Sequence, residues 1–272
     1  MKLAAIQMQP SSDTSKSISR AAEMIEEAVS KGAGVILLPE LFAAPFVAPE
    51  PDKDYFALAE SLTGPSNEMV SELSRKHRVT IVSSIFEERD IPGTYSNTAC
   101  TFADGEMRAV YRKSHLPFSN GFPEKFYFRP GDTAPEVVHT DQASVGTVIC
   151  YERHFPELAR SVALQGGTVL CNPVASASAP MKEVFQLELR AHAVFNSMYV
   201  MCSNRIGTEG SKEYFGLSAV YGPNGEILAQ APDGQEDVVL AEYSIDEIKN
   251  ARKSRPIFRD RRPDLYHHLT SI

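Results

Sequence analysis

VGTVICYERHFPELARSVALQGGTVLCNP, residues 145–173, is the stretch whose reading decides the fold. VGTVIC is an apolar run of strand length. Pro156 then suits the first position of a helix, where its missing N–H costs nothing, and PELARSVALQ continues in helix-forming residues. Gly166-Gly167 stops that helix before a second apolar run, TVLCNP. The chain opens with the same order: LAAIQMQ is a short apolar run, and Ile18, Ala21, Ala22, Ile25, Ala28 and Val29 recur at helical spacing. Gly32 and Gly34 close that helix before VILLPE. Strands apolar on both faces imply cover on both sides. Two half-domains of similar construction are predicted.

The rest of the chain fits between and after them. MVSELSRKH and VTIVSSIF repeat the helix-strand alternation, and YSNTACTF and MRAVYRK read as strands joined at Asp104-Gly105. VFQLELRAHAVFNSM is a helix leading to YVMCSN, and GLSAVYGPNGEILAQ is a hairpin turning at Pro223-Asn224-Gly225. This predicts a layered α/β sandwich with a mixed sheet. RKSRPIFRDRRPDLY, rich in Arg and Pro, reads as an extended arm. No linker divides the 272 residues, so a single domain (1–272) is expected, with an arm at about 250–272.

Composition narrows the function. With 43% hydrophobic and 23% charged residues the chain reads as globular and soluble, and a net charge of −8 disfavours nucleic acid and anionic membranes as partners. No apolar run approaches a membrane span and the start does not read as a signal peptide, so a cytoplasmic protein is expected. Cys100, Cys150, Cys171 and Cys202 are far apart with no CxxC pair, which points to neither a disulfide framework nor a zinc ribbon.

Cys150 has two readings: a buried core filler, or a nucleophile held out at a strand-to-helix turn. Two further residues place charge where an apolar strand ends. Glu40 closes GVILLPE, and Lys113 alternates with Met107, Ala109 and Tyr111 and so points the way they do. Either alone reads best as a solvated charge. Together the three residue types make chemical sense. A thiol with an ordinary pKa near 8.5 needs a base or a cation; Glu40 supplies the first, and Lys113 the second, for the thiolate and for the oxyanion formed on attack at a C=O or C≡N carbon. The Tyr151 backbone N–H is a second oxyanion donor.

PELF, RKSHLP and ICYERHFPE, in this order and spacing, resemble the Glu, Lys and Cys motifs of the nitrilase, or carbon-nitrogen hydrolase, superfamily, and the likeness runs from LAAIQM to RRPDLY. The resemblance implies an αββα four-layer sandwich with a pseudo-two-fold, extended by dimerisation into an eight-layered stack. It implies hydrolysis of non-peptide C–N bonds without cofactor or metal, with Glu40 as general base, Lys113 as stabiliser and Cys150 as nucleophile. GFPEKFYFRPGD resembles the segment carrying the family's second glutamate, here Glu124; the alternative is a solvated loop acid.

Other residues stay open or recede. His154 suggests a Cys-His pair, but Cys150 ends a strand and the two need not meet. His192 reads as structural, His267-His268 lack a third metal ligand, and Cys171 and Cys202 read as core fillers or pocket edges. Arg153, in an Arg-His pair that resembles ureidopropionase-like members, suits a substrate carboxylate; its alternative is an ion pair with Glu152, Glu157 or a dimer partner. The expected substrate is a small amide or N-carbamoyl (ureido) compound, with nitriles, ω-amides and a non-catalytic scaffold as alternatives. A homodimer or higher homo-oligomer is expected, because the arm needs a surface to lie on.

Overall fold

In the computed structural model, which describes residues 1–46, 51–119, 122–177 and 179–271, the strands in chain order are β1 (Lys2–Gln7), β2 (Ala33–Leu37), β3 (Thr80–Glu88), β4 (Tyr95–Ala103), β5 (Glu106–Arg112), β6 (Val137–His139), β7 (Ser144–Thr147), β8 (Val169–Val174), β9 (Tyr199–Asn204), β10 (Ile206–Glu209), β11 (Lys212–Phe215), β12 (Ala219–Tyr221), β13 (Ile227–Gln230) and β14 (Asp237–Glu242). The helices are α1 (Thr14–Ser30), α2 (Pro65–His77), α3 (Glu124–Tyr127), α4 (Pro156–Leu164), α5 (Lys182–Asn196), α6 (Ile245–Ser254) and α7 (Ile257–Asp260). Two sheets form, ordered β14-β1-β2-β3-β4-β5 and β13-β12-β9-β8-β7-β6, with β10-β11 as a separate hairpin. Each sheet has a parallel centre, β1-β2-β3 in one and β7-β8-β9 in the other, flanked by antiparallel strands.

Alternation along the strands explains why they are apolar on both faces. Ala4 and Ile6 of β1 pack with Met24 and Ile25 of α1, whereas Leu3 and Ala5 pack with Val169 and Met201 of the other sheet. On the far side, Leu170 and Val200 meet Val162 of α4 and Leu189 of α5. The layers run helix, sheet, sheet, helix: an αββα sandwich.

Most local expectations hold. Pro156 is the first residue of α4, the β12-β13 hairpin turns at 223–225, and β4-β5 turns at Asp104-Gly105 with φ of 54° and 79°, the paired positive values of a tight hairpin turn. Three readings need correction. The strand in VGTVIC ends at Thr147, three residues before Cys150. A register shift between Thr101 and Phe102, opposite β5, breaks the alternation from Met107 to Lys113, so Met107 packs with Val110 beside the α1–α2 core while Tyr111 joins the other side. The segment from Arg252 is not an extended arm throughout. Its first three residues finish α6, which buries Ile248 and Ala251, carries Asp246 and Glu247 in its first turn and Arg252 and Lys253 in its last, as the helix dipole favours; α7 and short turns follow.

Candidate active site

Glu40 and Lys113 come from the same end of the first sheet, on strands separated by β3 and β4. Glu40 follows β2 after Pro39, and Lys113 follows β5, its N–H donating to Asn97 O at 2.9 Å. Both are fully buried. Lys113 Nζ lies 2.8 Å from Glu40 Oε1 and 2.8 Å from both oxygens of Glu124. Asn97 Nδ2 donates to the same Glu40 Oε1 at 2.7 Å, while Glu40 Oε2 has no hydrogen-bond partner among the described residues. Glu124 opens α3 and is 1% exposed, so the reading of a solvated loop acid is overturned.

The electrostatics follow from two carboxylates around one ammonium in a dry site. Burial pulls the Lys113 pKa down, but Glu124 and Glu40 override it and hold the ammonium charged. Burial raises Glu124 to about 7, with Lys113 opposing and Glu40 adding to the rise.

Cys150 sits past the end of β7, where the backbone turns sharply. Its φ is +47°, a left-handed conformation that costs a non-glycine residue about 1–2 kcal/mol. A 3-10 turn, Cys150–His154, begins there and leads to α4. Burial pushes the thiol up to about 12, the Glu40 carboxylate acts in the same direction, and Lys113 and Arg153 act against both. Lys113 does favour the thiolate, as expected, but burial and Glu40 outweigh it. The charge of Lys113 is shared between two carboxylates, which weakens its pull on the thiol proton.

Glu152 was not singled out in the sequence as a site residue, yet it joins these parts. Fully buried, its Oε1 accepts from the Tyr111 hydroxyl (2.7 Å), Ser114 N–H (2.9 Å) and Ser114 Oγ (2.7 Å), and its Oε2 from Ile149 N–H (2.8 Å). The turn bearing Cys150 is thereby tied to the segment bearing Lys113. Burial opposes ionisation of Glu152, but hydrogen bonds from His115, Ile149, Tyr111 and Ser114 hold its carboxyl below the usual range.

Arg153 pairs with neither Glu152 nor Glu157. Its Nε donates to Glu188 Oε2 at 3.0 Å, its Nη1 to Cys150 O at 3.1 Å, and its guanidinium lies over the Phe185 ring. His154 Nδ1 shares Glu188 at 2.5 Å, and His192 Nε2 meets Arg153 O at 2.6 Å in a buried structural contact. Cys171 and Cys202 are fully buried in the two cores beside β8 and β9. His267 and His268 lie on the exposed end of the chain.

A cavity of about 210 Å³ opens onto Cys150. Glu124, Tyr151, Arg153 and His154 line it on one side, and Phe122, Ala175, Met181, Phe185 and Phe215 give it an apolar wall. Such a space admits a small substrate.

The profile of the carbon-nitrogen hydrolases matches residues 2–253. The chain is 37% identical to an N-carbamoylputrescine amidase of Oryza sativa subsp. japonica, covering 100% of this chain and 95% of the relative, and 32% identical to a citrullinase of Francisella tularensis, covering 99% and 98%. An omega-amidase of Homo sapiens is 33% identical over 97% and 96% of the two chains. The crystal structure of a carbon-nitrogen hydrolase from Helicobacter pylori superposes with a TM-score of 0.93 at 31% identity, covering 100% of this chain and 98% of the other. Sequence and fold agree along the chain, which belongs to the carbon-nitrogen hydrolase family and is an enzyme that hydrolyses carbon-nitrogen bonds of small compounds.

Proposed function

We propose that this enzyme cleaves a small ureido or amide compound through a thioester on Cys150. The observation that carries the reading is the meeting of a strained cysteine and a buried Lys113–Glu40–Glu124 cluster whose Glu40 Oε2 is left unengaged among the described residues. As the sulfur attacks the substrate carbon, Glu40 takes the thiol proton, which is why a thiol raised to about 12 remains usable. Lys113 Nζ and the Tyr151 N–H stabilise the oxyanion. Glu124 holds Lys113 charged and in place. The leaving nitrogen departs as ammonia with the proton from Glu40, and the same carboxylate then activates a water that hydrolyses the thioester. With an N-carbamoyl substrate the product carbamate loses carbon dioxide and leaves a free amine.

The ureido assignment draws on two of the relatives, the N-carbamoylputrescine amidase and the citrullinase; an ω-amide or a nitrile would use the same triad. Arg153 remains the candidate for a substrate carboxylate, in competition with Glu188. The enzyme works as a cytoplasmic homodimer of single-domain chains in this reading, with its thiols kept reduced. Ammonia release from N-carbamoyl amines, N-carbamoyl amino acids, dicarboxylate monoamides and nitriles tests the assignment: ureido compounds are expected to react best, and release from nitriles alone would refute it. Cys150→Ala is expected to abolish turnover; a variant as active as the parent would exclude the thioester.

A further inference from the structure

Glu40 sits in a turn that β3 holds in part: Leu41 N–H donates to Ser84 Oγ at 3.2 Å, Phe42 N–H to Ser84 O at 3.3 Å, and Ala44 N–H closes the turn on Leu41 O at 3.1 Å. The turn follows β2 after Leu38 and Pro39, and Leu41 within it has φ of +49°, a left-handed conformation that its side chain disfavours. Among the described residues, these hydrogen bonds leave the carbonyls of Glu40 and Ala44 to another partner.

We infer that Arg205, joined to Glu209, is a positioning residue for the general base Glu40, acting through the backbone of residues 40–46. Arg205 is fully buried, immediately after β9, and its backbone is anchored to the end of β1 by the Met8–Arg205 bridge. Its Nη2 reaches three carbonyls of the turn, Glu40 O at 2.7 Å, Leu41 O at 2.9 Å and Ala44 O at 3.2 Å. Nη1 donates to Glu209 Oε1 at 2.6 Å, and Glu209 Oε2 accepts from Phe46 N–H at 2.7 Å. The rings of Phe46 and Tyr214 each lie 5.5 Å from the guanidinium carbon.

The geometry separates this role from that of a generic buried ion pair. One planar fork gathers carbonyls from both sides of the strained Leu41, and its carboxylate partner holds the N–H where the turn ends. A lysine carries the same charge but cannot span the carbonyls and Glu209 together. The direct side-chain contacts of Glu40, with Asn97 and Lys113, both fall on Oε1. With Oε1 pinned by Asn97 and Lys113, where Oε2 lies depends on where the backbone puts the residue, and Arg205 holds that backbone on the side that Ser84 of β3 does not.

This inference rests on Glu40 acting as the base. The experiment measures kcat and KM for the parent, Glu40→Gln, Arg205→Lys and Glu209→Gln, each scaled to the folded fraction from circular dichroism. Arg205→Lys is expected to lower kcat about 10- to 100-fold with KM changed less than about 3-fold, since misplacing a catalytic group by about 1 Å costs on that order. Glu209→Gln keeps one acceptor for Phe46 or Arg205 and is expected to lose about 3- to 10-fold in kcat in the same pattern. A folded Arg205→Lys with parental kcat, or one in which only thermal stability falls, overturns the inference. Should Arg205→Lys fail to fold, Glu209→Gln decides alone by the same criterion. If Glu40→Gln itself keeps parental kcat, the proposed mechanism falls instead, so the two failures are distinct.

Discussion

Burial of Glu124 carries a consequence for how stability depends on pH. Burial raises its carboxyl from 4.5 to about 7 although Lys113 opposes the rise. Between those values the folded protein keeps a proton that the unfolded chain has released, so unfolding free energy falls as pH rises through the window, by up to about 1.4 kcal/mol per pH unit. Below the lower value both states are protonated and the term vanishes. Glu124→Gln cannot titrate. Urea unfolding of both proteins at pH 5 and pH 7.5 is expected to show the parent losing stability relative to the variant at the higher pH; a difference independent of pH would contradict the raised value. Glu40, Lys113 and Cys150 could be singled out in the sequence because three chemically matched residue types fall at or just past the ends of strands, within motifs that resemble one family. Glu152, Asn97 and Arg205 were not, because their meaning lies in partners 41, 57 and 165 residues away. A buried carboxylate with several donors and a surface one are spelled by the same letter.

At the scale of elements, α4 approaches β7 at a place where there is no room for a side chain. A Cβ on Gly146 would lie 2.4 Å from Val162 Cγ1 and 2.8 Å from Cγ2. The glycine lets the helix that follows the Cys150 turn rest directly on the sheet. Gly146→Ala is expected to cost about 1–3 kcal/mol of unfolding free energy through overpacking. If Val162 is the cause, adding Val162→Ala must cost less in that background than in the parent, by about 1 kcal/mol in a double-mutant cycle. Strict additivity would place the strain elsewhere. Such packing sets how far α4 stands from β7, and so where the thiol enters the cavity. Local signals carried most of the elements: Asp104-Gly105 and Pro223-Asn224-Gly225 turn where their residues favour it, and Pro156 starts its helix. β14 escaped because its support is the pairing with β1 at the other end of the chain, and the reversal of Met107 escaped because a bulge is decided by both strands. Periodicity reports a strand's faces only while its register is unbroken.

The whole molecule leaves one side of its second helical layer unfinished. Leu187 and Phe195 of α5 are 63% and 59% exposed, and beyond α7 the arm brings Leu265 and Leu269, at 60% and 63%, to the surface. Arg261, Tyr266 and Leu269 line a cavity of about 310 Å³ against Arg160, His192 and Phe195, so the arm lies along its own α4 and α5 without closing over them. Exposed apolar side chains on α5 and on the arm, of which Phe195 and Leu269 line one cavity, favour a covering surface, and a second copy turned by a two-fold axis would offer the same surface in return. The test must spare α6, whose Ile248 and Ala251 are buried, so truncation from Arg252 would damage the fold itself. Removing residues 261–272 leaves α6 and α7 intact. If the arm completes a dimer, this truncation is expected to give monomers by light scattering while the parent is dimeric, and to lower activity, because the Arg153–Glu188 pair beside the cavity joins the Cys150 turn to α5. A truncated chain that stays dimeric would rule out this role for the arm, and a parent that is monomeric at micromolar concentration would remove the dimer altogether.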